Sequence, residues 1–188
     1  MPELEKLIEK ANWQVDYVHS KIRFSARHMV ISEVEGQFND YEIDAFSEKD
    51  DLSDTEVEVR IKANSLDTKN EDRNNHLRSA DFFEVDKYPY ITFQSTSIKK
   101  LDDEKYKLYG DLTIKDTTKP IELDLTLGGK IKDPWGNTRI GFNLKGSLNR
   151  FDYNLKWNNL LETGGAVVGK TININCDIEL IQSEKEQS

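Results

Sequence analysis

Residues 55–63 read TEVEVRIKA, in which Val57, Val59, Ile61 and Ala63 alternate without a break against Glu56, Glu58, Arg60 and Lys62. Successive side chains of an extended chain point to opposite faces. The pattern therefore predicts a strand with one wet face and one face turned to a core, as in antiparallel sheets. The same period of two spreads outward in both directions. It runs through 21–30, where Ile22, Phe24, Ala26, His28 and Val30 share a face, and through 36–46, where Tyr41, Ile43 and Ala45 do. Phe38 is out of step there, which predicts a bulge near Asn39 and Asp40. Downstream it continues in 90–98 (Ile91, Phe93, Ser95, Ser97), 105–114 (Tyr106, Leu108, Gly110, Leu112, Ile114) and 121–129 (Ile121, Leu123, Leu125, Leu127). The last two stretches are 138–148 (Ile140, Phe142, Leu144, Gly146, Leu148) and 170–181 (Ile172, Ile174, Cys176, Ile178, Leu180). Turn signals separate them: the acidic 47–54, 101–104, a loop at 116–119 with Pro120 opening the next strand, and Asp133-Pro134-Trp135-Gly136-Asn137.

About eight strands of about ten residues would stand ~30 Å tall. One apolar face per strand asks for a closed barrel or a two-sheet sandwich, and long meandering strands favour the barrel. An eight-stranded barrel encloses room for side chains or for one small ligand.

The alternation stops at 67–89, DTKNEDRNNHLRSADFFEVDKYP. Asp67, Asn70 and Asp72 are helix-starting residues, so a helical insert is predicted between the third and fourth strands, at one end of the barrel. Leu77, Phe82 and Phe83 would turn inward, and Asp72, Arg73 and Arg78 outward. Upstream, Leu4, Leu7, Ile8 and Ala11 lie at helical spacing, predicting a short amphipathic helix over 1–12. The barrel domain is expected over 13–182 and a polar tail over 183–188.

The chain of 188 residues carries 35 acidic and 26 basic residues, a formal charge of −9. That balance speaks against a nucleic-acid partner and against electrostatic docking on an anionic membrane. The single cysteine, Cys176, leaves no internal disulfide or cysteine-based metal site, and its apolar parity predicts an inert buried thiol. The chain's start has neither a basic region nor an apolar core of a secretory leader, and no apolar run approaches the ~18 residues that span a bilayer. The expected compartment is the cytoplasm, and a homodimer remains compatible with the sequence.

Small residues punctuate the inward faces: Ala26, Ala45, Ala63, Ser95, Gly110 and Gly146. Either large neighbours such as Phe24, Phe93, Tyr106 and Phe142 fill these places, or the barrel keeps a long apolar cavity. In the second case the candidate lining is Phe24, Ala26, His28, Ile43, Val59, Ile61, Phe93, Ser95, Leu108, Leu112, Leu125, Phe142 and Ile174, with Leu77, Phe82 and Phe83 from the insert. His28 and Arg150 would suit a polar or anionic head group, or a structural hydrogen bond at the rim. His19, His28 and His76 lack metal-ligand spacing, and no nucleophile elbow, P-loop or dinucleotide fingerprint is present. No cofactor, metal or catalytic residue is assigned.

An ordered set of motifs carries a resemblance. Trp13-Gln14-Val15-Asp16 with His19-Ser20 is followed by 24–28 and Val34-Glu35-Gly36-Gln37-Phe38. Then come His76-Leu77-Arg78-Ser79-Ala80-Asp81-Phe82-Phe83, Tyr88-Pro89 and Phe93-Gln94-Ser95. Gly110-Asp111-Leu112-Thr113-Ile114, Thr118-Lys119-Pro120, Trp135-Gly136-Asn137-Thr138-Arg139 and Asn149-Arg150-Phe151-Asp152-Tyr153 with Trp157 complete it. Together these resemble the YceI-like polyisoprenoid-binding family over about 13–180. Asn154 stands where the family typically has Gly. The resemblance implies a lipocalin-like eight-stranded antiparallel β-barrel that binds an isoprenoid chain, such as a polyprenyl phosphate or a quinone tail, without catalysis. The alternatives are an enzyme acting on a lipid-like substrate through His28 and Arg150, or a filled barrel serving as an interaction module.

Overall fold

A computed structural model describes residues 13–49, 51–158 and 167–182. The helix expected over 1–12 and the tail over 183–188 lie outside these residues. The strands are β1 (Trp13–Val15), β2 (Lys21–His28), β3 (Ser32–Phe38), β4 (Tyr41–Phe46), β5 (Glu56–Lys62), β6 (Leu66–Asp67), β7 (Tyr90–Lys100), β8 (Lys105–Ile114), β9 (Thr117–Lys132), β10 (Thr138–Asn149) and β11 (Val168–Gln182). All belong to one antiparallel sheet in the order β4-β5-β7-β8-β9-β10-β11-β2-β3-β6, with β1 added to β11. The helix α1 (Glu71–Arg78) follows β6.

Among the described residues eleven strands, not eight, make the sheet, and the difference has local causes. β1 and β6 are three and two residues long, too short to show alternation. The stretch 36–46 is not one bulged strand. It divides at Asn39 and Asp40, so Phe38 and Tyr41 are each inward in their own strand, at 8% and 6% exposure. β3 pairs with β2 whereas β4 pairs with β5, so this corner carries the chain from one edge of the sheet to the other. Backbone groups lost to the ladders are satisfied on the spot. Asn39 N donates to Ser65 O (3.1 Å), Asp40 N to Ser65 Oγ (3.0 Å), and Lys62 N to Asp40 O (3.0 Å). The sheet thereby curls into a barrel-like shell whose two edges are joined by covalent chain.

Two further boundaries differ. β8 and β9 are joined by a tight turn at Lys115 (φ 57°) and Asp116, so β9 starts at Thr117 and Pro120 lies within it, opposite Asp111. This half of β9 has only β8 as a ladder partner, because β10 pairs with β9 no further than Asp124. A residue without an N–H therefore leaves no second ladder incomplete. The opening between β9 and β10 is covered by the 3₁₀ turn Arg150–Tyr153, which buries Tyr153 to 1% exposure. Second, the register of β7 shifts between Ser95 and Ser97, so Ile98 turns inward and Ser97 outward, against the expected face.

The small inward residues have different fates. A Cβ on Gly110 would meet the Phe93 ring and stand 2.6 Å from Gln94 O, and one on Gly146 would stand 2.6 Å from Leu123 Cδ2. Neighbours fill these two places. Ala63 is packed at 1% exposure.

At the end of the barrel near β1, Arg139 holds three carboxylates. Its Nε donates to Asp133 Oδ2 and its Nη1 to Asp16 Oδ2 and Glu179 Oε1, each at 2.9 Å. Asp133 Oδ1 also accepts from Trp135 N and Asn137 N, which shapes the turn before β10. Burial alone would raise both aspartic acids, but hydrogen bonds outweigh it and hold them below their ordinary values: His19 and Arg139 act on Asp16, Arg139 and the turn amides on Asp133. A depressed carboxylate stabilises the fold above its unfolded pKa, and that contribution disappears as pH falls through its folded value.

Two outcomes follow for stability. Gly110→Val should cost about 1–3 kcal/mol in urea unfolding, because the Gln94 backbone cannot withdraw as a side chain can. Arg139→Gln should lower the melting temperature at neutral pH, with the gap to wild type closing as pH falls from neutral through and below the ordinary aspartate value of 3.8. A gap that is constant across that range would contradict the carboxylate account.

Candidate ligand-binding cavity

The inward faces enclose a cavity of about 590 Å³. One end is closed by Ala45, Ile140, Ile178 and Leu180, all at 7% exposure or less. The other is bounded by α1, the segment after it and the adjoining ends of β2 and β11. Along the middle, Phe24, Ala26, Ile43, Val59, Leu144 and Ile174 point inward and yet are only half-buried. Their uncovered surface faces the cavity.

Every residue expected in the lining borders this space except Ser95: Phe24, Ala26, His28, Ile43, Val59, Ile61, Leu77, Phe82, Phe83, Phe93, Leu108, Leu112, Leu125, Phe142, Arg150 and Ile174. Ser95 sits at the β7 irregularity, where its Oγ accepts from Val57 N (2.8 Å), so its hydroxyl is committed to the wall. Ala45 also lines the space, and Cys176 does so with a thiol that burial pushes up to about 11, leaving it protonated at neutral pH.

The insert contributes more than its apolar residues. Asn70 caps α1 by accepting from Arg73 N (3.0 Å), and buried Asn74 Oδ1 takes hydrogen bonds from Thr68 N (2.8 Å) and Thr68 Oγ1 (2.6 Å). This fixes the helix so that Arg73, His76 and Leu77 reach the cavity, as i, i+3 and i+4 spacing on one face allows. Arg73 does not turn to water as expected. Its Nε and Nη2 donate to Thr68 Oγ1 (2.8 Å) and Thr68 O (2.7 Å). Arg78 is likewise half-buried, against Asn64 O and Leu66 O, while Asp72 is exposed at the rim. His76 Nε2 donates to Asp81 Oδ2 (2.8 Å), and the ring stands edge-on to Phe82 (5.1 Å) and Trp157 (4.5 Å). Phe82 and Trp157 complete this aromatic cluster at 5.5 Å. Trp157 follows the last turn in a segment with no alternation, so parity could not find it.

Arg150 is 1% exposed. Its guanidinium donates to Gly169 O (2.9 Å), Leu155 O (2.5 Å), Trp157 O (2.8 Å) and Val168 O (3.2 Å). Burial lowers its pKa, and four carbonyl dipoles compensate the charge. It braces the chain after the 3₁₀ turn against β11. The bonds leave a single N–H for anything in the cavity, too few for a bidentate head-group clamp.

Among the described residues, Asp16, His19 and Glu179 bring ligand-type atoms within 4.8 Å of one another. The Asp16 and Glu179 oxygens already accept from Arg139, so the group is an ion-pair network. No helix of the described residues is long and apolar enough to cross a membrane.

The geometry has close counterparts. The YceI-like domain model matches residues 13–180. UPF0312 protein ECA1782 of Pectobacterium atrosepticum is 44% identical over 138 residues, 73% of this chain and 71% of that protein. UPF0312 protein SA2479 of Staphylococcus aureus is 34% identical over 174 residues, 92% and 99% of the two chains. Among solved structures, a Campylobacter jejuni YceI protein superposes with a TM-score of 0.72 at 36% identity, covering 84% of this chain and 90% of that one. A polyisoprenoid binding domain from Saccharophagus degradans shares the fold alone, with a TM-score of 0.64 at 15% identity over 93% of this chain and 100% of that one. An all-β curled sheet of this order, its matching motifs and its lined interior agree with these relatives: the chain belongs to the YceI-like family.

Proposed function

We propose that the protein is a non-catalytic binder that holds one polyisoprenoid chain in its cavity, for transport, storage or sequestration. The observation that carries this reading is the ring of inward apolar side chains left half-buried around a continuous space. A fold with no use for that space would close it, since each unfilled volume costs stability. At roughly 30 Å³ per water-sized group, 590 Å³ admits on the order of twenty such groups, within the range of ordinary ligand sites. Burying about ten methylenes at ~0.8 kcal/mol each supplies ~8 kcal/mol, near micromolar affinity before ordering costs. Binding by apolar contact alone suits an isoprenoid tail, whether its head is a phosphate or a quinone. The relation to a polyisoprenoid binding domain supports this choice of ligand. An enzyme built on His28 and Arg150 is less well supported, because Arg150 spends its donors on carbonyls.

Titration with a polyprenol, followed by tryptophan emission, to which Trp13 and Trp157 contribute from the lining, should give saturable one-to-one uptake; no uptake at any concentration would refute the reading. Ala26→Phe projects a ring into the cavity and should weaken uptake at least about tenfold while leaving urea stability within about 1 kcal/mol of wild type. A large loss of stability instead would mean that the space around Ala26 is filled. Phe82→Ala, which truncates the ring seated on His76 and Trp157, should cost about 3–5 kcal/mol and hasten ligand loss. Phe83→Ala, at a half-buried position, should hasten loss at a smaller stability cost; unchanged retention in both variants would reduce the segment to a connector.

A further inference from the structure

The β2–β3 hairpin turns through Met29, Val30 and Ile31, three consecutive apolar residues exposed at 40%, 60% and 83%. None of them lines the cavity. A run of this kind at a loop tip is unfavourable in water unless something covers it. The backbone adds a second, independent oddity. Met29 and Val30 have φ of +50° and +66°. Tight hairpin turns with this geometry normally use Asn, Asp or Gly, and a β-branched residue in the left-handed region is strained. The strain is held by Ile31 N donating to His28 O (3.2 Å), Met29 N to Val167 O (2.9 Å) and Arg27 Nη1 to Val30 O (3.2 Å). The sequence thus retains a bulky apolar residue where a polar one would sit more easily, and fixes it outward. Strain of this kind is a pointer to function.

The place of the tip says what covers it. His28 and Val168 pair across β2 and β11 immediately behind it, and both line the cavity, as does Val167. We infer that the Met29-Val30-Ile31 tip inserts into the surface of a lipid bilayer, and that the cavity exchanges its chain with the membrane at this end. The inference rests on the proposed binding of a lipid chain, a ligand that is held in bilayers rather than dissolved in water. Charge selects the kind of surface. Arg27 is opposed across the hairpin by Glu33, and the whole chain is at −9, so docking is driven by apolar insertion and suits a zwitterionic surface. The exposed Ile131 and Trp135 lie at the β9–β10 turn, at the opposite end, where Ile140, Ile178 and Leu180 close the cavity.

The test uses phosphatidylcholine vesicles with and without a polyprenol. Wild-type protein should float with empty vesicles, and Val30→Asn/Ile31→Ser should reduce flotation roughly tenfold or more. The same variant should slow uptake from loaded vesicles to a similar degree. Its uptake of polyprenol dispersed from ethanol should stay unchanged, and its melting temperature should not fall, since Asn tolerates the left-handed turn. Equal flotation and equal transfer by wild type and variant would overturn the inference, as would loss of both in Trp135→Ser with the tip intact. If no variant takes up dispersed polyprenol, the ligand reading fails, and flotation of the lipid-free protein still decides for or against the tip.

Discussion

The architecture depends on one constraint: a single sheet of long strands must bring its edges together, and here the chain itself makes the closure. At Asn39 and Asp40 the backbone leaves β3, which only the two-residue β6 separates from one edge, and enters β4 at the other edge, with Ser65 and Lys62 taking up the hydrogen bonds that the corner would otherwise lose. Once the edges are tied, every period-two strand points one face into the same enclosed volume. The circumference is set by strand number and tilt rather than by side-chain size. The residues present are too small to meet across it everywhere, and a cavity results.

The ends of that cavity are built differently, which gives it a direction. Near β1, apolar packing is dense and Arg139 clamps Asp16, Asp133 and Glu179 around the turn that precedes β10. At the other end lie the helix, the aromatic group of His76, Phe82 and Trp157, the buried Arg150 and the apolar hairpin tip. Polar side chains reach the lining mostly there, from Thr68, Arg73 and His76. A chain with one polar end would find its tail favoured toward the packed end and its head toward the helix.

Strand faces were legible in the sequence because alternation is a direct consequence of backbone geometry, and the parity of Phe24, Val59 or Leu108 needed no neighbour to define it. Ser97 reads as inward and lies outward because a ladder irregularity after Ser95 shifts parity without changing composition, and only the partner strand reveals it. Phe38 carried a real signal, a break in step, but a bulge and a corner break step alike; pairing partners alone separate them. Arg150 looked like a head-group residue by type and position. Its true partners are the carbonyls of Leu155, Trp157, Val168 and Gly169, which have no sequence signature. Whether small inward residues leave space was undecidable from one strand at a time. Gly110 is filled by Phe93 from the next strand, while Ala26 is not filled at all.

The central claim, that the fold keeps its interior open for one isoprenoid chain, is tested most directly by native mass spectrometry of protein purified without denaturant or organic solvent. The account predicts a mass exceeding the polypeptide by a single lipid, released by solvent extraction and fragmenting in isoprene steps. A spectrum showing the bare polypeptide, unchanged after incubation with excess polyprenol, would contradict it.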